Sequence, residues 1–150
     1  MDLITEINKN MIKKEVRAFL DIYGFEGLKQ AMDNYSNLQQ LYLCRTKNAT
    51  SKIRICEINY LQICGHLITI YTTDGCYHKY GSLKTELESL SQYGFVRCTQ
   101  SHLVPLTKIR SIAYDCITLL DDTTLPLSKR YSSQVLLSFK IYEKRNSHLK

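Results

Sequence analysis

Between Tyr93 and Ile112 the chain reads YGFVRCTQSHLVPLTKIRSI, where two apolar segments enclose an arginine, a threonine, a glutamine, a serine and a histidine. These side chains donate and accept hydrogen bonds, and two can carry positive charge, so the block is equipped to hold a polar or anionic partner. Nucleophilic chemistry is the other possibility, because Cys98 lies four residues before His102 and Cys64 two residues before His66. A thiol nucleophile needs a base, and that base needs an orienting group. No third residue is evident for either pair, so neither an enzyme nor a small-molecule substrate is expected. The six cysteines, at 44, 56, 64, 76, 98 and 116, form no Cys-x-x-Cys pair and no zinc-finger spacing. They read as reduced, mostly core thiols, with no metal or other cofactor expected.

Charge separates the chain into two parts. Residues 1 to 37 carry five Lys/Arg against six Asp/Glu, a net of −1, while the remaining 113 carry fifteen against eight, a net of +7. The cationic excess therefore belongs to the second part, and a basic compact domain suits a polyanion. With 44% hydrophobic and 23% charged residues in 150, the composition is that of a globular protein with one proper core. No apolar run approaches the roughly 20 residues that span a bilayer, and the charged N-terminus is unlike a signal peptide. A cytoplasmic protein is expected.

The elements that must position the polar block follow from periodicity. Ile7, Met11, Ile12, Val16, Phe19 and Leu20 recur at helical spacing and Gly24 marks a stop; a shorter helix is expected from Glu26 to about Tyr35. Residues 1–37 thus read as a helical appendage with one apolar face, packed on the domain or on a partner subunit. From Leu38 the pattern turns to short β-branched and aromatic runs. LITIYT and CYHKY flank Thr73-Asp74-Gly75, a tight-turn signal that predicts a hairpin. One short helix is predicted at about 82–93, with Ser82 as N-cap, Leu83, Leu87 and Leu90 as its apolar face, and Gly94 as its end. The fold class is therefore mostly β (α+β), with several small antiparallel sheets, one short helix and the N-terminal appendage.

The order INYLQICGHLITIYTTDGCYHKYGSLKTELESLSQYGFVRCTQSHLVPLTKIRSI, followed by LPLSKRY, resembles the LytTR DNA-binding domain of bacterial transcription regulators over roughly Leu38 to Tyr142. SLKTELESL, GFVRCTQSHLV and LSKRY, in that order and spacing, carry the resemblance. It implies small antiparallel sheets that grip double-stranded DNA with loops in two successive major grooves. The family's loop histidine falls on His66, the polar position of the RC-x-x-S block on Gln100, and the arginine after the final strand on Arg130. These three are the expected base contacts, and Arg97, Ser101, Lys108 and Lys129 the expected phosphate contacts. Their chemistry suits the roles: arginine can donate two bonds to guanine O6 and N7, and glutamine pairs with adenine N6 and N7. Arg97 can equally tie its own loop to a carbonyl.

The partners expected are duplex DNA with repeated half-sites, a second copy of the chain, and, by analogy with receiver-less relatives, an inhibitory membrane protein. Thirty-seven residues cannot form a phospho-acceptor receiver domain, so none is expected. Val104-Pro105 stands where many relatives have Val-Asn; proline lacks an N–H, which predicts an edge strand or an irregularity there. The alternatives are an RNA-binding module, since basic charge and tyrosines can serve stacking, and a protein-interaction module.

Overall fold

The computed structural model describes residues 3–38 and 40–146. Helix α1 (Leu3–Leu38) is broken at Gly24, where φ 71° and ψ −173° interrupt two helical segments. A side chain at that left-handed φ would be strained, so the predicted stop coincides with a true break. Met11, Ile12 and Val16 before the break and Phe25, Met32 and Tyr35 after it are exposed. This apolar surface is therefore not packed on the described domain. The second segment does touch it: it packs against a 3-10 turn at Ile55–Glu57, and Gln30 Nε2 donates to Arg145 O at 2.7 Å.

Among the described residues ten strands follow: β1 (Leu41–Arg45), β2 (Thr50–Arg54), β3 (Ile58–Cys64), β4 (Leu67–Thr72), β5 (Gly75–Tyr80), β6 (Phe95–Thr99), β7 (His102–Pro105), β8 (Ile109–Ile112), β9 (Cys116–Leu119) and β10 (Thr124–Pro126). They form three antiparallel sheets: β1-β2, the central β5-β4-β3-β7-β6, and β10-β9-β8. The central sheet separates two cores because alternate residues face opposite ways. On one face Leu61, Ile68, Ile70, Phe95 and Leu103 pack with Tyr42 and Ile53 of the β1-β2 hairpin and with Leu83 and Leu90 of helix α2 (Leu83–Leu90). On the other, Cys98 and Val104 pack with Ile109, Ile117, Leu119, Leu125 and Val135.

The predicted hairpin over 67–80 is present, with Thr73-Asp74 as its turn and Gly75 at φ 142° already paired with Thr72. The predicted short helix is also present. The Ser82 side chain accepts from Thr85 N–H, and a 3-10 turn at Ser91–Tyr93 ends on Gly94 at φ 85°. Glu86 on its inner side is only 5% exposed. Its carboxylate lies 2.9 Å from Lys79 Nζ and accepts a short hydrogen bond from Tyr42 OH. Burial first, and then this bond to a carboxylate, push the Tyr42 phenol well above its ordinary value.

Two expectations change. β7 is an interior strand between β3 and β6, yet it carries Pro105 without a lost bond. Its pairing with β3 involves only Leu61↔Leu103 and Gln62↔His102, and beside β6 it is Leu106 N–H that donates to Gly94 O, at 2.9 Å. Proline thus occupies a strand end where no donor is required. Furthermore, Lys129 and Arg130 do not simply trail a final strand. They open an unpredicted helix, α3 (Lys129–Asn146), whose Tyr131, Val135, Phe139 and Tyr142 pack on the second core. No described helix is long and apolar enough to cross a membrane.

Candidate nucleic-acid interface

Strand direction alone brings most of the predicted contacts to one end of the central sheet. β3 ends at Cys64 and β4 starts at Leu67, so Gly65 and His66 form their turn; β6 ends at Thr99 and β7 starts at His102, so Gln100 and Ser101 form theirs. Because Gln62 pairs with His102, both turns project from the same end. A hydrogen bond from Ile63 N–H, near the end of β3, to Ser101 O at 2.9 Å ties the second turn to the strand that leads into the first, and Gly81 N–H, just past β5, donates to His66 O at 3.0 Å. His66 and Gln100 are exposed and Ser101 is half-buried.

The start of α3 joins the same end through an irregularity in β6. Arg97 pairs with Leu103 and Thr99 with His102, which leaves Cys98 as the extra, bulged residue. A bulged residue leaves the ladder and its backbone groups become available to others. Cys98 O accepts from Ser128 N–H at 3.0 Å, docking α3 so that Lys129 and Arg130, both exposed, start beside the Gln100 turn. Two cationic side chains on the first turn, with no acidic residue there, add to the partial positive charge of a helix N-terminus. The arrangement favours an anion.

Arg97 ties this assembly together. Its Nη2 donates to Gln100 O at 2.7 Å and its guanidinium lies 5.8 Å from the Tyr131 ring centre, while Arg130 lies 5.4 Å from the same ring. Tyr131 is therefore a shared aromatic platform that the sequence reading did not single out. Its signal is the helical spacing of Tyr131, Val135 and Phe139, blurred by the additional apolar residues Leu136, Leu137 and Ile141. Within the turn, Thr99 Oγ1 accepts from Ser101 N–H at 3.0 Å and lies 2.7 Å from His102 Nδ1.

Burial holds the His102 imidazole below its ordinary value of 6.5. The unfolded chain then takes up a proton below about pH 6.5 that the folded chain resists. Stability from this group is thus complete above that pH and falls as pH drops toward the lowered folded pKa. Thermal unfolding from about pH 7.5 down to about pH 5 should show a decrease that is smaller in His102→Gln than in the wild type, because only the wild type carries the titrating imidazole.

Lys108 is not part of this cluster. It is half-buried at the opposite end of the sheet, near Asn59, Thr72, Thr73 and Asp121. Hydrogen bonds from Thr123, and then the Lys108 charge, hold the Asp121 carboxyl below its usual range. The buried Cys98 thiol points to His102 O rather than to its ring, and burial pushes it up to about 12. Among the described residues no group of three or more His, Cys, Asp or Glu could hold a metal ion.

The LytTr DNA-binding domain family model matches residues 48–139, from the β1-β2 turn through most of α3. No curated protein matches the chain. A solved structure assigned as the LytTr DNA-binding domain of a methyl-accepting/DNA response regulator from Bacillus cereus superposes with a TM-score of 0.57 at 19% identity, covering 65% of this chain and 94% of that one. That likeness establishes the fold, while the match over more than half of the sequence establishes the family. The chain belongs to the LytTR DNA-binding domain family, whose members are DNA-binding transcription regulators.

Proposed function

We propose that the protein is a sequence-specific regulator that reads successive major grooves of duplex DNA with His66, Gln100 and Arg130, and that it needs no receiver domain for this. The observation that carries the reading is the convergence of two turns and one helix start at a single sheet end, tied by the Ile63–Ser101 and Ser128–Cys98 hydrogen bonds. Functional side chains on loops need such a rigid scaffold. Ser101 and Lys129 flank the three base readers as phosphate contacts. Arg97 holds the Gln100 turn in shape through Nη2, and with its Nε buried only its terminal donors are left for the DNA backbone. The exposed apolar surface of α1 supports the further reading that residues 1–37 pair with a second copy on repeated half-sites or dock an inhibitory membrane protein.

Selection from random duplexes at near-physiological salt, followed by sequencing of the bound pool, tests the proposal. Enrichment of a motif repeated at about one helical turn is the expected outcome. A salt-sensitive but unenriched pool would instead favour the RNA-binding alternative. Lys129→Ala should weaken binding to all sequences and reduce the salt slope by about one. The position of Lys108 makes a finer prediction. At the far end of the sheet it reaches phosphates only on a duplex that extends along the domain, so Lys108→Ala should flatten the slope by about one on a long duplex and leave it unchanged on one trimmed to the bound motif.

A further inference from the structure

On the face of the central sheet formed by β5, β4 and β3, a second cluster lies outside the interface described above. Cys76 and His78 are two residues apart on β5 and therefore share a face. Thr69 is the ladder partner of His78 and Tyr71 that of Cys76. His78 Nδ1 lies 3.1 Å from Thr69 Oγ1, and His78 Nε2 lies 3.9 Å from Cys76 Sγ. With its proton on Nδ1 the imidazole donates to Thr69 Oγ1, which leaves the Nε2 lone pair as acceptor for the thiol proton. This is the order of parts that activates a nucleophile: thiol, base and a third group that orients the base. Cys76 and His78 are exposed, so an incoming reagent can reach the sulfur.

The other cysteines lack this combination. Cys44 and Cys98 are buried and donate to backbone carbonyls, and Cys56 and Cys116 are partly covered. Cys64 is exposed, but among the described residues no hydrogen bond joins its sulfur to an imidazole. Cys76 therefore has a built-in reference on the same sheet face, a thiol of similar exposure without a base.

We propose that Cys76 is a thiol-modification site, with His78 as its proton acceptor and Thr69 as the residue positioning that histidine, and that it takes low-molecular-weight disulfides. His78 Nε2 accepts the thiol proton as the Cys76 sulfur attacks one sulfur of the disulfide. A Cys76–S–S–R bond forms, the original S–S bond breaks, and the departing thiolate recovers the proton from the imidazolium to leave as RSH. The disulfide reagent is the oxidant, and no other reactant is required. Cys76 lies four ladder steps, about 14 Å, from the sheet end that carries His66. The inference does not depend on how DNA is read.

The test uses the full chain and dithiobis(nitrobenzoate), an aromatic disulfide, with the labelled cysteines located by mass mapping after an acid quench. Cys76 is expected to label about tenfold or more faster than Cys64. His78→Ala should bring the Cys76 rate down to that of Cys64, and Thr69→Val should slow it by a smaller factor, with Cys64 unaffected in both. Cys98 serves as an internal reporter of folding, since it labels only if the second core opens. His78→Gln, which keeps bulk but removes the base, provides the comparison if alanine loosens the hairpin. Equal rates for Cys64 and Cys76 in the wild type, or an unchanged Cys76 rate in a folded His78 variant, would overturn the proposal.

Discussion

Replacing Arg130 by alanine is expected to remove about 1–3 kcal/mol of discrimination between the selected site and a scrambled one, which competition binding at fixed salt would measure. A guanidinium at the first turn of α3 can present two parallel donors to one guanine, and no other residue of that turn offers this fork. The flanking Lys129 provides only a point charge, so its loss lowers affinity without changing preference. The Tyr131 ring, 5.4 Å from the Arg130 guanidinium, limits the conformations that the arginine must give up on binding. Tyr131→Leu should therefore weaken specific binding while keeping the fold's apolar packing at that position. If Arg130→Ala left the preference between the two sites unchanged, its assignment as a base reader would be wrong.

The second large effect concerns stability. Glu86→Ala should lower the free energy of unfolding by about 3 kcal/mol, read from the urea midpoint at constant slope. The carboxylate is nearly buried between α2 and the β1-β2 hairpin, accepting from Tyr42 OH and paired with Lys79, whose side chain keeps 18% of its exposure. Removing it strands an ammonium that also lies 5.2 Å from the Tyr42 ring centre, together with a buried phenol. Glu86→Gln should be milder, because the amide oxygen still accepts from Tyr42 while the charge pair is lost. Tyr42→Phe should cost about 1 kcal/mol, since it removes one hydrogen bond and keeps the ring. An alanine variant no less stable than the glutamine variant would show that the carboxylate's hydrogen bond to Tyr42 contributes little.

Local chemistry was enough to place several elements. The hairpin over 67–80 is legible because alternating apolar residues flank a turn at Thr73-Asp74-Gly75. Helix α2 is legible because a serine cap, a leucine stripe and a left-handed glycine all agree. The break in α1 is legible at Gly24 for the same reason. Order and spacing of the motifs also identify the family, and with it the residues to be tested as base readers.

Other features depend on contacts between distant segments, which local patterns do not encode. Helix α3 is hard to read because Val135, Leu136, Leu137, Phe139, Ile141 and Tyr142 form a nearly continuous apolar run with no clean helical period, and it gains its stability by docking on the second core. The docking point is Cys98 O, freed by a one-residue bulge whose existence depends on how β6 meets β7. Pro105 suggested an edge strand or an irregularity; β7 is an interior strand, but β3 stops pairing with it before the proline, and the β6–β7 ladder shifts register at Cys98. The burial of Glu86 beside Tyr42 and Lys79 joins three segments that no sequence period relates. By itself, the sequence determined the basic, strand-rich character of the chain after residue 38, the helix break at Gly24, the turn residues and the family. Only the tertiary structure decided that His66, Gln100 and Arg130 occupy one sheet end while Lys108 occupies the other, because that depends on strand order and on a single bulge.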